Sequence, residues 1–148
     1  MSEAARALLD VNVLIALHDQ QHVHHAMAAE WFAAHAAQGW ASCPLTQNGV
    51  LRIMSQPAYP NAQPLGLLMA LFERSFAARV HVFWPDDISI VDGQRFEPAH
   101  MHGHRQITDL YLLALAVAHG GRFVTFDTRV PLSAVRGAKT QHLVRLLA

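Results

Sequence analysis

The chain has 148 residues, with 11 Lys plus Arg, 11 Asp plus Glu and 11 His, so its formal net charge near neutrality is zero. That length suits one domain, 1–148, and 52% hydrophobic against 15% charged residues excludes a disordered tail or linker. Zero net charge excludes a polybasic protein that coats nucleic acid by charge alone and leaves room for a local basic patch.

The first element expected is a short buried strand, Ala7-Leu8-Leu9, ending at Asp10. Val11 to Leu17 follows as a short helix with Asp10 as its N-cap. Val23, Met27 and Trp31 recur at i, i+4, i+8 and predict an amphipathic helix ending near Gly39. A second strand is expected over 39–45. A helix over 46–55 is stopped by Pro57 and Pro60. Leu65, Leu68, Met69, Phe72 and Phe76 mark the clearest helix face, with Pro64 at its start. Val80 to Trp84 reads as a strand and 87–104 as largely irregular. Ile107 to Ala118 reads as a helix apolar nearly all round, hence buried. Arg122 to Phe126 is a strand ending at Asp127, and a last strand falls near 142–146.

Strands alternating with helices imply parallel pairing through right-handed crossovers. The expected fold is α/β: a three-layer α/β/α sandwich with a four- to five-stranded, mainly parallel sheet. The longest apolar run, 110–118, falls far short of the roughly 20 residues of a membrane-spanning helix. Asp10 and Asn12 break the N-terminal apolar stretch, which makes it a poor signal peptide. The expected location is the cytoplasm.

In sheets of this kind, sites form outside the carboxyl ends of the strands. Asp10 and Asp127 each follow a strand, and Asp109 opens the buried helix. Each alone suits a cap or a turn. Together they place three carboxylates from distant parts of the chain at one edge, where like charges repel unless a cation neutralises them. A hard divalent ion, Mg²⁺ or Mn²⁺, suits such oxygen donors and would promote attack of water on a phosphodiester. Arg52, Arg105 and Arg129 are candidates to hold phosphates at that edge.

Four segments carry a family likeness: LLDVNVLIAL around Asp10, CPLTQNGVLRIMSQPAYP around Gln47, GHRQITDLYLLALA around Asp109 and FVTFDTR around Asp127. In these, in order, the sequence resembles the PIN-domain ribonucleases, particularly the toxin subunits of VapBC toxin–antitoxin pairs. The resemblance implies a metal-dependent endoribonuclease acting as a toxin, an RNA substrate, a cognate VapB-type antitoxin and a homodimer. Carried over by position, Asp10, Asp109 and Asp127 stand at metal-binding places. Asn12 matches a polar position near the first acid, and Thr125 a small hydroxyl residue two before the last. One departure matters: many members carry a glutamate after the threonine of the second motif, where this chain has Gln47. Gln47 is therefore expected to support the site without charge, leaving three carboxylates rather than four.

Other readings stay open at this point. His100, His102 and His104, with His22, His24 and His25, suggest zinc. Cys43, the one cysteine, excludes an intramolecular disulfide and is read as core packing rather than as a nucleophile. The departure at Gln47 also supports a PIN-like module that binds RNA or an antitoxin without cutting.

Overall fold

The computed structural model describes residues 6–147. The elements in chain order are β1 (Ala7–Leu9), α1 (Val11–His18), α2 (His25–His35), β2 (Trp40–Ser42), α3 (Pro44–Met54), α4 (Leu65–Phe76), β3 (His81–Phe83), α5 (Ile107–Ala118), β4 (Arg122–Thr125) and β5 (Leu143–Arg145). The strands form one five-stranded sheet in the order β3-β2-β1-β4-β5, and every pairing is parallel. The expected α/β sandwich is the observed architecture, with the sheet at the upper end of the anticipated strand number.

The alternation of a pleated strand divides the core between the two faces. Leu8, Ala41 and Phe123 point to the side covered by α5. Ala7, Leu9, Trp40 and Val124 point to the side covered by residues of α1, α2, α3 and α4. The helix 107–118 is apolar nearly all round because Leu110 and the run from Leu112 to Ala116 are all buried. Large side chains buried here, such as Phe123 and Leu112, each contribute roughly 1.5–3 kcal/mol by leaving water.

Three local expectations change. The strand expected to reach Leu45 ends at Ser42, and α3 begins at Pro44. Proline fits a first helical position, since its fixed φ suits the helix and its missing N–H would be unsatisfied anyway. Thr46 Oγ1 accepts from the Cys43 amide at 3.0 Å and donates to the Cys43 carbonyl, closing the turn. On α2, of the stripe Val23, Met27, Trp31 only Trp31 packs against the core, and it does so half-buried. Val23 precedes the helix and is 86% exposed, Met27 is exposed, and the buried residue is Ala28, whose small side chain admits close packing. On α4, Leu68 and Phe72 are buried as expected, whereas Leu65 and Met69 are more than half exposed.

The strand order explains where a site forms. From β1 the chain builds outward to β2 and β3 on one side, then returns to build β4 and β5 on the other. The connections diverge between β1 and β4, and in sheets of this kind a site forms at the carboxyl ends of the strands beside such a divergence.

Candidate active site

Asp10 and Asp127 stand just beyond the two strands that flank this divergence. The Asp10 amide donates to the Val124 carbonyl at 2.9 Å, continuing the ladder one residue past β1. The Asp10 side chain is buried, 6% exposed. Its Oδ1 accepts from the Val11 amide at 2.8 Å, and its Oδ2 accepts from Thr125 Oγ1 at 2.8 Å. Thr125 Oγ1 in turn accepts from the Asp127 amide at 3.1 Å. One hydroxyl thus ties the first acid to the backbone of the last. Threonine suits this place, since valine would fill the volume without bonding either.

Burial pushes the Asp10 carboxyl above its ordinary range. The hydrogen bonds from Thr125 and Val11 oppose that rise, and the Asp127 charge adds to it. Asp109, in the first turn of α5, is pushed up to about 7. Burial is the main cause, followed by the charges of Asp10 and Asp127 and a side-chain hydrogen bond with Asp127. Carboxyl groups that are buried close together behave in this way, because each charge disfavours ionisation of its neighbour. Arg129 approaches the group, its Nε 3.5 Å from Asp127 Oδ1, but that guanidinium is 80% exposed, where an ion pair is screened and contributes little.

The structure therefore brings Asp10, Asp109 and Asp127 into mutual influence. Among the described residues no three His, Cys, Asp or Glu side chains stand as a formed metal-holding cluster, so the three acids are electrostatic neighbours rather than a finished coordination shell. Their donor chemistry nevertheless fits a hard divalent cation: oxygen ligands, surplus negative charge, and a carboxyl whose proton such an ion would displace.

The remaining candidates distribute unevenly. Asn12 is exposed in the first turn of α1. Arg105 and Arg129 line one open hollow together with Asp127. Arg52 is exposed on α3 and is not part of that wall. Gln47 departs from its expected place beside the acids. Its Nε2 donates to Ser42 Oγ at 3.0 Å, and Ser42 Oγ also bonds His81 Nε2 at 2.7 Å. Its side chain lies beside Met69, Phe72 and Glu73 of α4. The α3 position that faces the start of α1 is Gly49, where an added Cβ would stand 2.7 Å from Val11 Cγ2. Two residues along a helix turn a side chain roughly 200°, so a group at position 47 points away from what position 49 faces.

His102, His104 and Gln106 line the same hollow as Asp127. Sequence reasoning assigned two of them to a zinc reading and passed over the third; their adjacency to Asp109 in GHRQITD was the available signal. The other histidines are engaged separately: His25 Nδ1 with the Ala16 carbonyl at 2.7 Å and His100 Nδ1 with the Ser133 carbonyl at 3.1 Å. Burial pushes the Cys43 thiol up to about 11, so it stays protonated and packs as a core side chain.

Fold and site together define a small parallel-sheet domain with three interacting acids at one edge of its sheet. The PIN domain family profile matches residues 7–137, and the chain belongs to the PIN-domain family. It is similar to three proteins of Mycobacterium tuberculosis (strain H37Rv). It is 50% identical over 141 residues to Ribonuclease VapC44, covering 95% of this chain and 99% of that one. It is 41% identical to Ribonuclease VapC39, covering 88% and 95%. It is 42% identical to Ribonuclease VapC38, covering 90% and 94%.

Proposed function

We propose that the chain is a metal-dependent endoribonuclease, the toxin of a toxin–antitoxin pair, that cuts RNA by attack of water on a phosphodiester. The observation that carries this reading is the mutual influence of Asp10, Asp109 and Asp127 at the carboxyl edge of the sheet, with Asp109 pushed up to about 7 by burial first and then by the other two carboxylates. Family membership and relatives named ribonucleases support it.

Asp10, Asp109 and Asp127 would hold Mg²⁺ or Mn²⁺. When bound, such an ion supplies positive charge to a phosphoryl oxygen and makes a coordinated water more acidic. Thr125 and the Val11 amide hold the Asp10 carboxylate in one orientation. Asp109 would hold the ion as the carboxylate, its proton having passed to solvent. Asn12 keeps a polar supporting role at the open side, whereas Gln47 supports the site only from a distance, by fixing the end of β2 through Ser42. Arg105 and Arg129 meet the RNA backbone beside Asp127, and Arg52 meets it farther out on α3.

We further propose the cytoplasm as the location and a VapB-type antitoxin as partner. No described helix is long and apolar enough to cross a membrane. A homodimer would cover the ridge of Leu65, Leu67 and Met69, all more than half exposed on α4; a light-scattering mass of one chain would contradict it. Gly49, where α3 meets α1, brings no fourth carboxylate, which favours a second reading: a PIN-like module that binds RNA or antitoxin without cutting. Cleavage of single-stranded RNA by chelator-treated protein, with Mn²⁺ restored, separates the two. The nuclease reading expects cleavage that depends on Mn²⁺ and is lost in Asp109→Asn. Equal cleavage by both proteins, or none by wild type, overturns it.

A further inference from the structure

We propose that the hollow between the 102–106 turn and Arg129 grips a phosphate of the RNA next to the one being cut, with His102 and His104 as donors beside Arg105. The inference rests on the ribonuclease reading and names a subsite within it.

The hollow is lined by His102, His104, Arg105, Gln106, Asp127 and Arg129. Against one carboxylate it sets two guanidiniums, two imidazoles and an amide. This contrasts with the adjoining acids, where the charges of Asp10 and Asp127 act on Asp109. Donors gathered at one place suit an anion with several acceptor oxygens. A polynucleotide supplies one at every nucleotide, so a grip that abuts Asp127 stands where a neighbouring phosphate would pass.

The wall is also constructed rather than merely exposed. Gly103 adopts φ +136°, a conformation that side chains disfavour, and so lets His102 and His104 flank a sharp turn. Gln106 Oε1 accepts from the His102 amide at 3.0 Å, and its Nε2 donates to the Arg129 carbonyl at 3.5 Å. This single side chain clips two loops that are 23 residues apart. A metal is the competing occupant for paired histidines, but among the described residues these two and Asp127 do not stand as a group of three placed to hold one.

The test uses Asp109→Asn protein in chelator, which separates binding from cleavage, and a fluorescently labelled, mixed-sequence single-stranded RNA 12-mer read by anisotropy. Adding His102→Ala and His104→Ala together is expected to weaken binding about tenfold, the loss that goes with removed hydrogen bonds to a charged group. Both side chains are exposed, so the melting temperature should hold. In the otherwise wild-type enzyme the same pair should raise KM and leave kcat nearly unchanged. Unchanged RNA affinity, with cleavage by wild type intact, overturns the subsite and spares the ribonuclease reading. No RNA binding by Asp109→Asn together with no cleavage by wild type overturns both. A stoichiometric zinc ion lost from the double variant overturns the subsite in favour of a metal site.

Discussion

Two buried aspartates nine residues apart, Asp10 and Asp19, bracket α1 and live in opposite environments. Asp19, 5% exposed, follows the helix and is surrounded by donors. Tyr59 Oη donates to its Oδ2, while the Gln21 amide at 3.0 Å and Asn61 Nδ2 at 2.9 Å donate to its Oδ1. Burial works to raise its pKa, yet those hydrogen bonds prevail and the carboxyl sits below its ordinary range. Asp10 precedes the helix, has fewer donors and faces Asp127, and its carboxyl is raised. Burial alone does not mark a functional acid. Asp19 is satisfied and fastens the 55–64 connection to α1, whereas the Asp10 group keeps a surplus of charge that a ligand must settle.

The largest expected consequence of this contrast is in activity. Asp109→Asn should lower RNA cleavage on the order of 100-fold or more, since several kcal/mol of transition-state stabilisation depend on the ion its group would hold. Asp19→Ala should leave cleavage per folded molecule nearly unchanged. Its own effect falls on stability. Losing the charged acceptor leaves Tyr59 and Asn61 without their partner and should cost about 1.5–3 kcal/mol, read from urea denaturation. Comparable activity losses in the two variants would break the contrast.

A smaller effect sharpens it through pH. Asp109 has its folded pKa raised, so its stabilising contribution is complete below the unfolded value near 4 and is lost as pH rises through about 7. Chelated wild type should therefore lose melting temperature between pH 5 and pH 8 relative to Asp109→Asn. Asp19 has its folded pKa lowered, so its contribution is present above about pH 4 and fades as pH falls further; the gap between wild type and Asp19→Ala should close on acidification. The smallest effect concerns the ion: millimolar Mn²⁺ should raise the melting temperature of wild type more at pH 8 than at pH 5.5, because protons compete for the same oxygens.

How much of this the sequence reveals depends on the range of the interaction. Helix 107–118 and the strands ending at Asp10 and Asp127 could be read because short apolar runs stopped by polar residues are local signals, and the parallel-sheet rule then put the acids at one edge. The start of α3 is ambiguous in the sequence because Pro44 reads equally as a breaker and as a first helical residue; Thr46 reaching back to Cys43 decides it. The direction of Gln47 was hidden for a different reason. Motif position fixes a residue along the chain but not around a helix axis, and α3 is oriented by the Gly49–Val11 contact together with the burial of Val50 and Met54. The Asp19–Tyr59 bond and the Gln106 clip span 40 and 23 residues, and no periodicity reports contacts of that range.

Anomalous diffraction from crystals soaked in Mn²⁺ near pH 8 tests the central claim most directly. The account predicts a peak held by Asp10, Asp109 and Asp127, directly or through water, in wild type and its absence in Asp109→Asn. Manganese bound elsewhere, or no manganese while the three carboxylates stay as they are, would contradict it.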